Sequence, residues 1–237
     1  MRWTGGAGSP LWWFKEGSFQ VTIQGIGFNG ADEAIRFRNT TAVVSTMGQI
    51  HISDCTFNSQ TVASIFIGYP LADTTSDDDI DGVVIERITV LNGSAVGIIA
   101  NIAQNGYRFI VRDSALFANT NQITTQGFHD LTFEHLTVTG VTKSSYQLNI
   151  VTGNGYLRAI GIYTERGRVL FVGQWGIWGA TRGIHLEDFV VNSNDSVVEA
   201  LSPAIYLADF AILINVNVST GAIIRQVFNT GNGCVVI

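Results

Sequence analysis

A phrase of nine to ten residues recurs eight times along this chain of 237 residues, and it constrains the fold more than any other feature of the sequence. Its clearest copy is IHISDCTFN, from Ile50 to Asn58. Each copy has an apolar anchor, then a one-residue bend, then apolar or small residues three and five positions after the anchor. The anchors are Ile23, Ile52, Ile85, Val111, Phe133, Leu157, Leu186 and Leu213, separated by 29, 33, 26, 22, 24, 29 and 27 residues.

This spacing selects one class of fold. Repeats of roughly 20 to 50 residues are typical of solenoids and propellers, and a propeller blade needs about 40 residues. No segment sustains helical periodicity, and Val, Ile, Thr and Phe dominate the repeats, which excludes a helical solenoid. We therefore predict an all-β fold, a single-stranded parallel β-helix of about eight rungs with three short strands in each. It should be right-handed, because parallel crossovers almost always are.

The repeats also predict the domain organisation. Residues 1–18 differ from the rest because they place Trp3, Trp12, Trp13 and Phe14 in a glycine-rich stretch. A terminal rung needs a cover over its open core, so we predict an aromatic cap or partial rung there. The alternative is an aromatic surface on which sugars stack. Residues 19–237 form the predicted β-helix domain, which ends on an uncapped apolar segment (231–237) and is therefore expected to belong to a longer chain or to be covered by another subunit.

Composition narrows the range of partners. Net charge is −6 and no Lys/Arg cluster occurs, so nucleic acid is not an expected partner. No apolar run approaches the roughly 18 residues of a membrane span, and no signal peptide is visible at the N-terminus. Cys55 and Cys234 are predicted to lie about six rungs apart, too far for a disulfide.

Charged residues recur at two outward positions that directly follow the anchors. Because side chains alternate between faces of a strand, these residues should form columns along the solenoid. We interpret both columns as ladders that fix the register, and we expect Arg112→Glu to compensate partly for Glu134→Lys. The first column holds Gln24, Ser53, Glu86, Arg112, Glu134, Arg158, Glu187 and Ile214, and the second holds Gly25, Asp54, Arg87, Asp113, His135, Ala159, Asp188 and Asn215.

The strongest candidate for chemistry is the segment 162–183. Glycoside hydrolysis uses two carboxylates, about 5.5 Å apart for retention or about 6.5–9.5 Å for inversion. Glu165 and Asp195 fall at the same corner of adjacent rungs and are therefore candidates for an acid/base pair. Lys143, one rung earlier, is the alternative base of a lyase. The candidate substrate-binding residues are Tyr163, Arg166, Arg168, Trp175 and Trp178, with Arg166 or Arg168 holding a uronate carboxylate. The structural alternative is that these are solvated corner charges and tryptophans packed against the helix.

Two weaker candidates remain. Five aspartates between Asp73 and Asp81 offer oxygen ligands for calcium, centred on Asp77–Asp81, although their spacing differs from an EF-hand and a solvated loop is the favoured explanation. His129 and Asp130 form either a catalytic dyad or a turn. His51 and His185 occupy equivalent positions before their anchors, which indicates a structural role. The sequence has no Cys/His cluster typical of a metal site, and no cofactor is predicted beyond that possible calcium ion.

The phrases VTIQGIGFNG, IHISDCTFNS and IHLEDFVVNS resemble the pectate-lyase-like right-handed parallel β-helix superfamily. That group includes polysaccharide lyases, polygalacturonases and trimeric phage tailspikes. The resemblance implies a polysaccharide partner, an extracellular or virion-associated location and, for a tailspike-like chain, a homotrimer. No histidine here is flanked by glycines and no Arg-x-Pro-x-x-Arg occurs, so the family's catalytic roles are not transferred. Two functions stay open: cleavage of a surface or extracellular polysaccharide by a lyase or glycosidase around Glu165, and a non-catalytic structural or glycan-binding shaft of a virion or surface assembly.

Overall fold

The computed structural model describes residues 10–15, 17–37, 46–68, 79–91, 95–118, 120–139, 146–152, 156–165, 168–174, 183–192, 205–207, 211–218, 224–226 and 235–236. Every regular element in these ranges is a β-strand. The strands are β1 (Trp12–Phe14), β2 (Thr22–Gln24), β3 (Gly27–Asn29), β4 (Glu33–Phe37), β5 (Thr46–Ser53), β6 (Thr56–Asn58), β7 (Ala63–Gly68), β8 (Asp79–Glu86), β9 (Thr89–Val90), β10 (Val96–Leu116), β11 (Ile123–Phe128), β12 (Asp130–Thr139), β13 (Tyr146–Thr152), β14 (Tyr156–Glu165), β15 (Arg168–Gln174), β16 (Gly183–Asn192), β17 (Ile205–Leu207), β18 (Ala211–Val218), β19 (Ile224–Gln226) and β20 (Val235–Val236).

The strands pair in parallel with their counterparts in neighbouring repeats, which makes the chain a right-handed parallel β-solenoid and confirms the predicted fold. Two columns of apolar residues are paired from strand to strand, and those whose side chains are described are mostly buried. One column passes through the anchors: Ile23, Ile52, Ile85, Val111, Phe133, Ala159, Leu186, Leu213 and Val236. The other joins the second strands: Trp12, Ile35, Ile65, Ile98, Ile123, Leu148, Leu170, Ile205 and Ile224.

The number of turns differs from the prediction. The structure describes about five turns, against the eight rungs predicted. Beyond Glu165 the strands are described, but the segments that join them lie outside the described residues. The later repeats therefore contribute paired strands to the two columns without complete turns.

A left-handed residue makes the bend that the phrase predicted. It lies two positions after each anchor-column residue from Ile23 to Leu213, with φ between 49° and 69°. Asn, Asp and Gly adopt this conformation most readily, and they occupy six of the eight positions. We call this set the bend column: Gly25, Asp54, Arg87, Asp113, His135, Gly161, Asp188 and Asn215.

The register of β14 corrects one predicted anchor. Ala159, and not Leu157, pairs with Phe133 in the anchor column. A shift of two residues keeps every side chain on the same face, so Leu157 and Ala159 are both fully buried. The shift moves Gly161 to the bend, where its φ is 65° and where an L-residue costs roughly 1–2 kcal/mol. Ile160 consequently occupies the place in the charge column that was predicted for Arg158.

Strand β1 adds aromatic side chains at the N-terminal end of the described solenoid. It pairs with β4, and its alternate residues face opposite ways. Trp12 packs edge-on against Phe28 with ring centroids 5.3 Å apart, and Phe14 stacks on Phe37 at 4.6 Å. Trp13 is exposed, near the charged groups of two basic side chains. Trp3 lies outside the described residues, and the division at residue 18 remains a prediction.

The described cysteine is part of the core. Cys55 is buried, its Sγ lies 3.2 Å from the Ser53 carbonyl oxygen, and burial raises the pKa of its thiol. Cys234, the other member of the pair for which no disulfide was predicted, lies outside the described residues.

Candidate functional site

The structure describes the side chains of two of the predicted site residues, and it brings those two together. The Tyr163 hydroxyl donates a hydrogen bond of 2.9 Å to Glu165 Oε1 on β14. Arg168 begins β15, where its backbone pairs with that of Tyr146, and its side chain is not among those described. The remaining predicted site residues lie outside the described residues: Lys143, Arg166, Trp175, Trp178 and Asp195. The acid/base pair and the lyase base therefore remain predictions.

A shallow groove of about 400 Å³ lies beside the bend column, on the outer surface of three neighbouring repeats. We call it the bend groove. Each left-handed bend turns the backbone, and the residue two positions after it again faces outward. These outward residues pair from repeat to repeat as Thr89, Ala115 and Thr137, and the same row continues to Tyr163. The groove is lined by Arg87, Ile88, Thr89, Asp113, Ser114, Ala115, His135 and Thr137.

Arg87, at one end of the groove, is held by two carboxylates. Its Nε and Nη2 donate to the two oxygens of Asp54 at 2.8 and 3.1 Å, and its Nη1 lies 2.6 Å from Glu86 Oε1. The hydrogen bonds from Arg87, with a further one from Gln24, lower the pKa of Asp54 to about 2. The positive charge of Arg87 is therefore already neutralised by the protein.

Glu86 is the centre of this charged network beneath the surface. Its carboxylate is almost fully buried and lies within 3.1 Å of side-chain nitrogens of Arg87, Arg112 and His51. Burial raises the pKa of Glu86, but the hydrogen bonds from Arg112, Arg87 and His51 outweigh burial and lower the pKa to about 2. A buried carboxylate satisfied by three neighbouring side chains indicates a structural element rather than an accessible catalytic group.

The ladder interpretation is correct for some pairs and wrong for Arg112 with Glu134. Glu86 and Arg112 are neighbours in the column and form an ion pair. Glu134 is the next residue in that column, but its ion pair is with Arg158, at 3.0 Å. Arg158 reaches Glu134 diagonally, since long side chains span the offset between neighbouring strands. The compensating partner for a change at Glu134 is therefore Arg158 and not Arg112.

His135 lies in the groove in one fixed orientation. Its Nδ1 is 3.1 Å from Asp113 Oδ1, one repeat away in the bend column. On the opposite side the ring covers Gly161, where an added Cβ would come within 2.8 Å of His135 Cδ2. Because a carboxylate only accepts hydrogen bonds, Nδ1 is the donor in this contact, and when the imidazole is neutral its Nε2 keeps the lone pair. The side chain is 68% exposed, so Nε2 is presented to solvent as a hydrogen-bond acceptor.

Sequence reasoning assigned His135 and Asp113 to a register ladder and missed the groove beside them. The pairing itself was visible in the sequence, since both residues fall two positions after an anchor. The groove depends on two further facts, the bend that turns these side chains outward and the glycine that receives the imidazole. Assigning the bend of β14 to Gly161 from the sequence would have shown that a glycine lies beside the His135 imidazole.

The other histidines have structural contacts. His51 and His185 occupy one column, as predicted, and each contacts a carboxylate of the next column, His51 with Glu86 at 3.1 Å and His185 with Glu187 at 3.2 Å. His129 stacks on Tyr107 at a centroid distance of 5.0 Å. Within the described residues, Asp130 makes no hydrogen bond to His129, which favours the structural alternative to a dyad.

The calcium hypothesis stays a prediction. Asp81 forms an ion pair with Arg108 at 3.1 Å, while Asp73, Asp77 and Asp78 lie outside the described residues. The part of the chain that the structure describes contains no group of three or more metal-ligating side chains. It also contains no helix that could cross a lipid bilayer.

No protein-family model matches the chain, and no curated protein or solved structure matches it. The chain is a parallel β-solenoid. That architecture is consistent with a β-helix superfamily, and a solenoid hosts many unrelated functions. The function must therefore be inferred from the side chains that this solenoid presents in the bend groove.

Proposed function

We propose that this solenoid recognises a carbohydrate along its outer face, as a pectate-lyase-like β-helix would, with the bend groove as the contact surface. The observation that carries the proposal is the fixed His135 side chain inside a groove of about 400 Å³ that also presents threonine side chains. Binding sites characteristically combine a concave surface with a few polar groups held in place. A sugar offers hydroxyl groups that both donate and accept hydrogen bonds, and these can pair with the polar side chains of the groove.

The repeat supports a chain-like ligand. Outward residues at one position follow each other as Thr56, Thr89, Ala115, Thr137 and Tyr163. Successive positions are about 4.8 Å apart, since each lies on the neighbouring strand. A polymer aligned with the solenoid axis would contact a similar side chain on each successive strand. Such a repeating surface suits a polysaccharide, whose sugar units also repeat.

Cleavage of that carbohydrate is a second candidate function, and the contact between Tyr163 and Glu165 favours it. The hydrogen bond of 2.9 Å joins the Glu165 carboxylate to Tyr163, which lies on the outward row that leads from the groove. A catalytic carboxylate needs such support from a neighbouring side chain. Asp195 or Lys143 would supply the second group. Without cleavage, the same contacts suit a glycan-binding shaft of a virion or surface assembly, including a homotrimer.

The test is retention of bacterial and plant polysaccharides by the intact protein, together with release of new reducing ends. We expect retention, and we expect Thr137→Val to weaken it because the change removes one hydroxyl from the groove at nearly constant shape. Thr22→Val is the matched control, since Thr22 is an exposed strand residue before the bend. Loss of reducing-end release in Glu165→Gln would support cleavage. Failure to retain any polysaccharide in the panel would refute carbohydrate recognition.

A further inference from the structure

We propose that the bend groove takes a neutral saccharide, and that His135 Nε2 is the fixed acceptor for one of its hydroxyl groups. This inference rests on the proposed carbohydrate function and specifies its ligand. It differs from the expectation that arginines hold a uronate carboxylate, because it assigns recognition to a hydrogen-bond acceptor on His135.

The charges of the groove favour a neutral ligand. The one arginine or lysine in its lining is Arg87, and that side chain already contacts carboxylates. Arg87 contacts two, Asp54 and Glu86, and is neutralised by them. Asp113 adds a negative charge to the lining. A saccharide with carboxylates or sulfates would approach Asp113 without gaining an unpaired cation among the described residues. A neutral saccharide meets acceptors that its hydroxyl groups can satisfy.

Three constraints hold the acceptor in place before any ligand arrives. The backbone of His135 is left-handed, with φ of 50°. Asp113 holds Nδ1 at 3.1 Å, and the ring lies against the backbone of Gly161. Nε2 makes no hydrogen bond to any residue that the structure describes. Holding a polar group in its binding orientation reduces the entropy lost on binding.

The hydroxyl groups that line the groove are of two kinds: one is hydrogen-bonded within the protein, and two belong to partly exposed threonines. Ser114 Oγ donates to the Arg112 carbonyl at 2.7 Å and accepts from the Ile88 amide at 3.1 Å, so it supports the bend and not the ligand. Thr89 and Thr137 line the groove at partly exposed positions, one repeat before and one repeat after Ala115. A ligand hydroxyl on Nε2 therefore has threonine side chains beside it for its neighbouring hydroxyls.

The experiment compares two matched variants, His135→Gly and Asn215→Gly. Both remove an exposed side chain from a left-handed bend, where glycine is well tolerated, and only the first lies in the groove. The ligands are soluble neutral polysaccharides (dextran, galactomannan and xyloglucan) and acidic ones (polygalacturonate and alginate), measured by calorimetry. We expect a neutral polysaccharide to bind, His135→Gly to weaken it by roughly tenfold, the effect of losing one good hydrogen bond, and Asn215→Gly to leave it unchanged.

The outcomes separate this inference from the function on which it rests. If only acidic polysaccharides bind, the neutral-ligand assignment is overturned while carbohydrate recognition stands. If a neutral polysaccharide binds equally well to His135→Gly and to the unmodified protein, His135 is not the acceptor. If no polysaccharide of either kind binds, both proposals fail. Thermal unfolding of the two variants, which should coincide, verifies that a loss of binding at His135 is not a loss of folding.

Discussion

On this surface, the ion-pair partner of a charged residue depends on the length and rotamer of its side chain as well as on the strand register. Arg112 is the backbone partner of Glu134, yet it binds Glu86 on the other side. Glu134 instead binds Arg158, whose backbone pairs with Thr132. Periodicity predicts which side chains face outward, because faces alternate along a strand. It does not predict which of two neighbouring opposite charges forms the contact, because that depends on rotamers.

The pair Glu134 and Arg158 gives a test at this scale. Glu134→Lys should lower the free energy of unfolding because it places two cations in contact, and adding Arg158→Glu should restore part of the loss. We expect a coupling energy of about 0.2–1 kcal/mol from denaturant unfolding, as for other partly exposed pairs. The same cycle with Arg112→Glu is the control and should give a smaller coupling. Strictly additive effects for Glu134 and Arg158 would show that the contact contributes nothing.

At the scale of the strand, β14 shows where a repeat pattern becomes ambiguous. Placing Leu157 or Ala159 in the anchor column buries both residues, so alternation cannot decide between them. Backbone conformation decides, because only one choice gives the left-handed bend to Gly161. The same choice leaves room for the His135 ring. The candidate site therefore depends on a register that the apolar pattern alone left open.

Strand β1 provides a prediction at the same scale. Trp12→Ala should lower the free energy of unfolding by about 2–4 kcal/mol, because it removes a large side chain packed against Phe28. Trp13→Ala is the matched control on the opposite face of the strand. It should cost only about 0.5–1 kcal/mol, the usual size of an exposed cation–π contact with Lys15 or Arg36. Equal losses in urea unfolding would contradict the inward orientation of Trp12.

For the whole molecule, stability is the sum of contacts between neighbouring repeats, so a network that joins several repeats affects all of them. Glu86 links His51, Arg87 and Arg112, and Arg87 extends the network to Asp54. The pKa values of Asp54 and Glu86 both fall to about 2 in the folded protein. Such lowered values stabilise the fold while the carboxylates are ionised.

We therefore expect acid to destabilise the solenoid in a defined range. The contribution of both carboxylates is fully present above their ordinary pKa values of 3.8 and 4.5, and it is lost as the pH falls toward about 2. Urea unfolding at pH 7, 5 and 3 should show a lower midpoint at pH 3. Glu86→Gln should lower stability at pH 7 and flatten the decline toward pH 3. An unchanged slope in that variant would show that Glu86 does not control the acid response.

The sequence by itself determined the architecture. Eight apolar phrases at intervals of 22 to 33 residues specify stacked parallel strands, because no other fold buries such a pattern so regularly. Only the tertiary structure decided which groups meet: Glu134 with Arg158, His135 with Asp113 and Gly161, and, within one strand, Tyr163 with Glu165. The first three of these contacts join residues at least 22 positions apart. Apolar burial is a property of each repeat and is readable locally, whereas contacts between repeats depend on the bend and on the register of the stacked strands.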